Sequence, residues 1–489
     1  MFTLHHRYAE LPASLWAACE PAPAADPRLI VFNTALAREL GMDEQPDDAT
    51  LARYFSGSEL LPGARPMALG YAGHQFGNFV PKLGDGRALW LGEAFDADGE
   101  RRDIQLKGSG RTPYSRGGDG RAPLGPVLRE YLVSEAMAAM GIPTTRALAA
   151  VATGERVMRM PPAPGAVVTR VAASHIRVGT FQFAAARGDM EALGALVEHA
   201  IERHYPSIRE ESGNARYLAL FDAVMRRQAY LVARWMGVGF IHGVMNTDNA
   251  SIAGETIDYG PCAFMEAFDP NKVYSSIDQG GRYAFSRQPA IAQWNLARLA
   301  ECLLMLMEGE ENERVNEATA VLRRFDEVFA EARRKVSADK LGLAADSERA
   351  APLMEALEDA MQRGKMDMTA TFDALYHFAA DPGEARRDDL LALGEAPGEV
   401  AEWLARWQGE QVAGEDAERL AAMRRANPII IPRNHRVQEA ISAAEEGDYQ
   451  PFYALLAVVI APFDDTADAR RLAAPATASE RVLRTFCGT

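Results

Sequence analysis

The 489-residue sequence has few cysteines, no long apolar run and no surplus of positive charge. Its four cysteines, Cys19, Cys262, Cys302 and Cys487, are widely scattered and form no C-x-x-C pair, which argues against a zinc site built of cysteines. No apolar stretch is long enough to span a bilayer, so no membrane partner is expected. The start, Met1-Phe-Thr-Leu-His-His-Arg7, has no basic segment followed by an apolar core. It reads as neither a secretory signal nor an Arg-rich transit peptide, and a cytoplasmic location is expected. A formal net charge of −16 disfavours nucleic acid as a partner, although a local basic pocket for a small anion is compatible with it. Internal repeats and long low-complexity segments are absent too. What is present is a chain of ordinary composition, 48% apolar and 25% charged, long enough to bury a large core.

One stretch carries the densest chemistry: Phe240-Ile-His242-Gly-Val244-Met-Asn246-Thr-Asp248-Asn249, followed by Ile257-Asp258-Tyr259-Gly260. Protein kinases carry H-R-D-x-x-x-x-N and then D-F-G, whose Asp holds magnesium. His242 and Asn249 stand at the kinase His-to-Asn spacing, and Asp258-Tyr-Gly stands where D-F-G would be. The place of the kinase catalytic Asp is taken by Val244, which can accept no proton. The metal-binding half of a kinase site is therefore present and its usual base is missing.

The flanking sequence has a kinase-like order. Tyr71-Ala-Gly-His-Gln-Phe-Gly77 and Gly84-Asp-Gly86-Arg87 precede a predicted strand over 88–95, a turn at Asp98-Gly99 and a second strand ending in Lys107. Glycines between strands let backbone approach a phosphate, but this spacing matches neither the Walker nor the kinase loop, and a plain hairpin turn fits equally well. Residues 108–122 combine three arginines with five glycines, a supply of guanidinium forks and free N–H groups suited to phosphate; a flexible surface loop is the bland reading. A helix is predicted from about Pro123 to Met140, with Glu130 and Glu135 both candidates to pair with Lys107. Runs at 147–151 and 165–170 read as strands joined by a turn near Gly154. Arg170 and Arg177 follow, either reaching an anion or making surface ion pairs. From about Gly188 the pattern is helical: an amphipathic helix over 217–236 leads into the central stretch, and 290–425 reads as a bundle. Near the ends, Asn33 and Asn434 read as N-caps. The expected class is α+β, a protein-kinase-like two-lobed fold with a β-rich N-lobe, a helical C-lobe and additional C-terminal helices. The expected division is an N-terminal extension (1–65), an N-lobe with the nucleotide-binding loop (66–185), a C-lobe core with the metal and catalytic motifs (186–290) and a helical C-terminal region (291–489).

Gln105-Leu-Lys-Gly-Ser-Gly-Arg-Thr-Pro-Tyr-Ser-Arg-Gly-Gly-Asp-Gly-Arg121 resembles the signature of the selenoprotein O family. So do Tyr71–Gly77, His242–Asn249 and Ile257-Asp-Tyr-Gly-Pro-Cys-Ala-Phe264, and the resemblance runs from about residue 7 to about residue 463. It implies a pseudokinase by motif that is a protein adenylyltransferase. Such an enzyme moves AMP from ATP, held inverted relative to kinases, onto Ser, Thr or Tyr hydroxyls of proteins and releases pyrophosphate. By the same resemblance Gly84, Gly86, Arg87, Lys107, Asp119, Gly120, Arg170, Arg177 and Asp258 would bind the nucleotide, with Glu130 paired to Lys107. Asn249 and Asp258 would hold Mg2+ or Mn2+, and Asp248 would be the proton acceptor. Some bacterial relatives are described as using UTP with manganese, so a protein uridylyltransferase is the alternative. A true kinase and a non-catalytic nucleotide-binding pseudokinase stay open as well. A purely helical interaction protein would explain 290–480 but not the glycine–arginine loop. The family also carries a redox-active residue near its C-terminus. Cys487 fills that role here, within an ending that departs from the family's usual one, so the resemblance implies a Cys262–Cys487 disulfide against the free thiols general in cytoplasm. Peptide mapping without reductant tests the pair: a linked 262–487 peptide supports it, and its absence under every oxidant ends it.

Overall fold

The structure, a computed structural model, describes residues 2–410 and 416–486. Twelve strands occur among them: β1 (Trp16–Ala18), β2 (Arg28–Phe32), β3 (Met67–Leu69), β4 (Gly73–Gln75), β5 (Asn78–Val80), β6 (Ala88–Phe95), β7 (Arg101–Lys107), β8 (Ala122–Pro123), β9 (Arg146–Val157), β10 (Ala163–Ala172), β11 (Phe240–Ile241) and β12 (Ala263–Phe264). The main sheet runs β1-β3-β6-β7-β10-β9-β2, with β8 alongside β10, and its pairings are antiparallel. Register decides what the sheet can build. Arg170 lies opposite Gln105, and Lys107 is two residues further along the same strand. Side chains alternate between faces with period two, so Gln105, Lys107 and Arg170 share one face. The alternate residues Ile104 and Leu106 point the other way, into an apolar cluster with Leu36, Leu51 and Phe55.

The helix Leu124–Ala139 lies over the polar face and buries Val127, Leu128, Tyr131 and Leu132. The helix Gly213–Gly237 delivers the chain to β11, which pairs with β12 and so closes residues 242–262 into one loop. Beyond it the described chain is helical from Gln288–Leu304 to Asp416–Ala426. In that part Trp403 and Trp407 stack with centroids 6.1 Å apart. Their indole N–H groups donate to Leu353 O at 2.8 Å and Leu341 O at 2.9 Å, so both buried donors are satisfied. The fold is thus mixed α and β, a sheet region followed by many helices. No helix among the described residues is long and apolar enough to cross a membrane.

Three expectations change. Residues 1–65 are not an appendage: β1 pairs with β3 and β2 with β9, so the first residues are edge strands of the sheet. Strands this short carry too little alternation to be read from sequence. The turn is not at Gly154: β9 runs straight through it, with φ +73°, and the hairpin turns beyond Val157. Glycine is needed there for another reason, because an added Cβ would lie 2.6 Å from Asp26 Cβ. The helix expected to start after Asn434 begins at Asn434, with Arg433 in the cap position. Late in the chain, Thr485 N donates to Tyr274 O at 2.8 Å and Ser276 N to Thr485 O at 2.9 Å. The Thr485 hydroxyl also donates to Pro261 O. These bonds strap the last described residues to the segment that follows Asp258.

Glu255 sits between the two halves of the central motif, accepting from Ala173 N at 2.9 Å with the nearest Arg102 nitrogen 3.8 Å away. Burial pushes its carboxyl up to about 7. The folded state then holds a proton that the unfolded state releases at lower pH. The stability Glu255 contributes is therefore complete below the ordinary carboxylate range and is lost as pH rises to about 7. Glu255→Gln should make the protein less sensitive than wild type to a rise from about pH 5 to about pH 8, measured as the urea midpoint at each pH.

Candidate active site

The twelve residues singled out as nucleotide, metal, ion-pair and base candidates line a single cavity of about 350 Å3. Gly84, Gly86 and Arg87 enter from the turn before β6, Lys107 from the end of β7, and Asp119 and Gly120 from the glycine–arginine loop. Glu130 comes from the overlying helix, Arg170 from β10 and Arg177 from the cap of the next helix. Asp248, Asn249 and Asp258 come from the loop between β11 and β12. A larger cavity, about 590 Å3, lies elsewhere among the helices beside Tyr230, Arg234 and Arg425, and none of these candidates reaches it.

A chain of charges organises the cavity. Lys107 Nζ donates to Glu130 Oε2 at 2.6 Å and to Asp258 Oδ1 at 3.2 Å. Arg170 bridges the same two carboxylates, through Nε to Glu130 and Nη2 to Asp258. Arg177 Nη1 reaches Asp258 Oδ2 at 3.3 Å and Asp248 O at 2.9 Å, while its guanidinium lies 4.4 Å from the Tyr71 ring centre. The other candidate, Glu135, belongs to Arg146, with Nη2 2.8 Å from Oε2. Burial pushes the Asp258 carboxyl up, but Arg170, Lys107 and Arg177 together outweigh it and hold it well below the usual carboxylate range. Glu130 is lowered in the same way, burial being outweighed by Arg170 and Lys107. Asp258 takes this position in a left-handed conformation, φ +66°, which Asp tolerates better than most residues.

Asp248 has the opposite environment. It lies in the short turn Thr247–Asn249, is 7% exposed, and has a buried Oδ1 without a hydrogen-bond partner. Burial pushes its carboxyl up to about 6. Two carboxylates ten residues apart in sequence are thus driven in opposite directions, one fixed as an anion and the other able to exchange a proton near neutrality. His242 ties the two halves together, its Nε2 lying 2.9 Å from Ile257 O. Val244 lines the cavity beside them as an apolar wall.

The family profile described as Protein adenylyltransferase SelO matches residues 2–460. The chain belongs to this family. Proteins called "Protein nucleotidyltransferase YdiU" are similar to it over their whole length. One from Rhodopseudomonas palustris (strain BisB5) is 55% identical, covering 100% of this chain and 99% of the relative. One from Rhizobium meliloti (strain 1021) is 54% identical with the same coverage, and one from Agrobacterium fabrum (strain C58 / ATCC 33970) is 52% identical over 100% of both. SelO membership places the chain among enzymes that transfer nucleotidyl groups to proteins.

SelO chemistry calls for a divalent cation, and the residues here fit one. Asn249 Nδ2 donates to Val244 O at 2.9 Å, which leaves its carbonyl oxygen as an acceptor, and Asp258 offers a permanently ionised carboxylate. Among the described residues no group of three or more His, Cys, Asp or Glu side chains could hold a metal. The oxygens of Asn249 and Asp258 are donors of the kind a hard divalent cation takes. Of the two cysteines expected to pair, Cys262 is buried, and Cys487 lies outside the described residues.

Several cavity residues went unnoticed in the sequence. Asp85 is buried between two glycines already singled out, and accepts from Gln105 Nε2 at 3.0 Å and Leu69 N at 3.2 Å. The Gly-Asp-Gly spacing was a usable signal for it. Arg159 gave none: it arrives from the β9–β10 turn and grips both Asp119 oxygens, at 2.8 and 3.1 Å. Since Glu130 anchors both Lys107 and Arg170, Glu130→Gln should weaken nucleotide binding by about tenfold to a hundredfold, the worth of hydrogen bonds to a charged group. Titration calorimetry with a nucleoside triphosphate checks this; unchanged affinity would detach Glu130 from nucleotide binding.

Proposed function

We propose that the chain is a protein adenylyltransferase with a kinase-like two-lobed arrangement, the sheet region with its edge strands forming the N-lobe and the part from about 186 the C-lobe. ATP, or UTP in a uridylyl-transferring variant, would lie between them. The observation that carries the reading is the convergence of Asp248, Asn249 and Asp258 with Lys107, Arg170 and Arg177 in one cavity, beside a valine where a kinase has its base.

In this mechanism Lys107, Arg170, Arg177 and Arg87 neutralise phosphate charge, with Gly84, Gly86 and Gly120 letting backbone N–H groups approach. Arg and Lys can exchange carboxylate for phosphate oxygens because both are hard anionic acceptors. A divalent cation held by Asn249 and Asp258 would supply further charge neutralisation. The acceptor hydroxyl of a protein Ser, Thr or Tyr attacks the α-phosphorus and gives its proton to Asp248. A new phosphorus–oxygen ester bond forms, the α–β bridging bond breaks, and pyrophosphate leaves with the bonding electron pair. Burial and the unpartnered oxygen of Asp248 support its role as base. The compartment that fits a chain with these substrates is the cytoplasm.

Nucleotides labelled at the α or γ phosphate separate the readings. Protein should acquire the α label from ATP or UTP and not the γ label; γ transfer would make the chain a kinase, and binding without covalent product a scaffold. Asp258→Ala should abolish metal-dependent transfer. Asp248→Ala should lower turnover by roughly two to four powers of ten, the usual worth of a general base, with nucleotide affinity nearly unchanged.

A further inference from the structure

The Asp248 carboxylate can take a proton from an acceptor only if the surrounding chain aims it. The hairpin of β4 and β5 belongs to the early sequence, yet it lies against the turn carrying Asp248. Its backbone is pinned there twice. His74 N donates to Thr247 Oγ1 at 2.7 Å and Phe76 N to Asn246 Oδ1 at 3.0 Å, so the residues on both sides of Gln75 hold the two residues before Asp248. Phe76 adopts φ +52°, an uncommon conformation for a bulky residue and one that bends the hairpin tip. Asn246 is itself fixed, its Oδ1 also accepting from Tyr283 OH at 2.6 Å.

The side chains at the hairpin match this arrangement. Gln75 Nε2 points at Asp248 Oδ2 from 3.5 Å. The other oxygen packs against Gly73: a Cβ added there would lie 2.3 Å from Asp248 Oδ1 and 2.8 Å from its Cγ. Real Cβ atoms do not approach so closely, and Gly73 has an ordinary backbone, so its lack of a side chain serves space rather than conformation. Behind the turn, a Cβ on Gly179 would lie 3.2 Å from Asp248 Cα and 2.2 Å from Ala72 O. The carboxylate is therefore enclosed by a glycine on one oxygen and an amide donor on the other.

We infer that Gly73 and Gln75 are positioning residues for Asp248: the hairpin, whose Gln75 reaches the cavity wall, sets the orientation of the carboxylate that takes the acceptor's proton. The inference rests on the proposed role of Asp248. It requires that disturbing the hairpin cost turnover and not nucleotide binding, because misplacing a reacting group by about 1 Å costs on the order of a hundredfold in rate.

The test measures incorporation of α-labelled ATP into protein, with the apparent KM for ATP, for Gly73→Ala, Gln75→Leu and the exposed hairpin residue Asn78→Ala, each alone and with Asp248→Asn. Gly73→Ala should lower kcat about a hundredfold and Gln75→Leu about tenfold, with KM for ATP within about twofold of wild type and Asn78→Ala unchanged. In the Asp248→Asn background neither hairpin variant should cause further loss, since both act through the missing carboxylate. A purely structural hairpin would instead give losses that multiply with Asp248→Asn, and that result overturns the inference. So does wild-type kcat in Gln75→Leu, which keeps the test decisive if Gly73→Ala fails to fold. Wild-type turnover in Asp248→Asn alone would overturn the role of Asp248, and the hairpin's role with it.

Discussion

The structure depends on a partly buried anion that three cations share. Asp258 is placed by a strained turn against Lys107, Arg170 and Arg177, and through the first two it is linked to Glu130. Burying charges is costly, and an ion-pair cluster rarely stabilises a fold better than apolar packing would. Removing one member is worse still, at roughly 3–5 kcal/mol, because the rest are left uncompensated. A cluster of this kind makes more sense as a charge store than as a fastener. Its cations are held in place by two carboxylates, and in the proposed function a polyphosphate would offer them more oxygens. The sheet register, the overlying helix and the β11–β12 loop then all serve one end, which is to bring opposite charges from distant parts of the sequence to the same few ångströms.

The central motif was legible in the sequence because its chemistry is local. His242, Asn249 and Asp258 lie within one loop, and their spacing follows from a short pair of strands and the turn between them. Lys107 was legible because it ends an alternating strand next to a glycine-rich segment. What periodicity could not supply was pairing. Glu130 and Glu135 are on the same helix, separated by little more than a turn, and only the packing of that helix over the sheet assigns one to Lys107 and the other to Arg146. β1 and β2 escaped notice because three and five residues hold too little pattern. Gly154 lies in mid-strand and not at a turn: a glycine signals either a turn or a close approach, and the strand passing Asp26 requires the second.

The same distinction explains Gln75 and Asp85. Both lie in segments that stood out for their glycines, and both contribute through long-range contacts, Gln75 to a residue 173 positions away and Asp85 to one 20 away. Glycines announce that something approaches closely; they do not say what. In this chain the visitors are a carboxylate at Gly73, an aromatic ring at Gly84, where a Cβ would lie 2.3 Å from Tyr114, and the backbone of Gly110 at Gly120.

The strap formed by Thr485 has a consequence for biogenesis. It spans 224 positions to reach Pro261, three residues beyond Asp258. A ribosome making this chain releases the helical region before residue 485 emerges, so the stretch from Pro261 to Ser276 waits, without this neighbour, until residue 485 has been made. The sheet and the cation cluster can assemble early, while the segment beside them is secured last. Nascent chains would thus carry the assembled cation cluster before they carry the finished segment beside it.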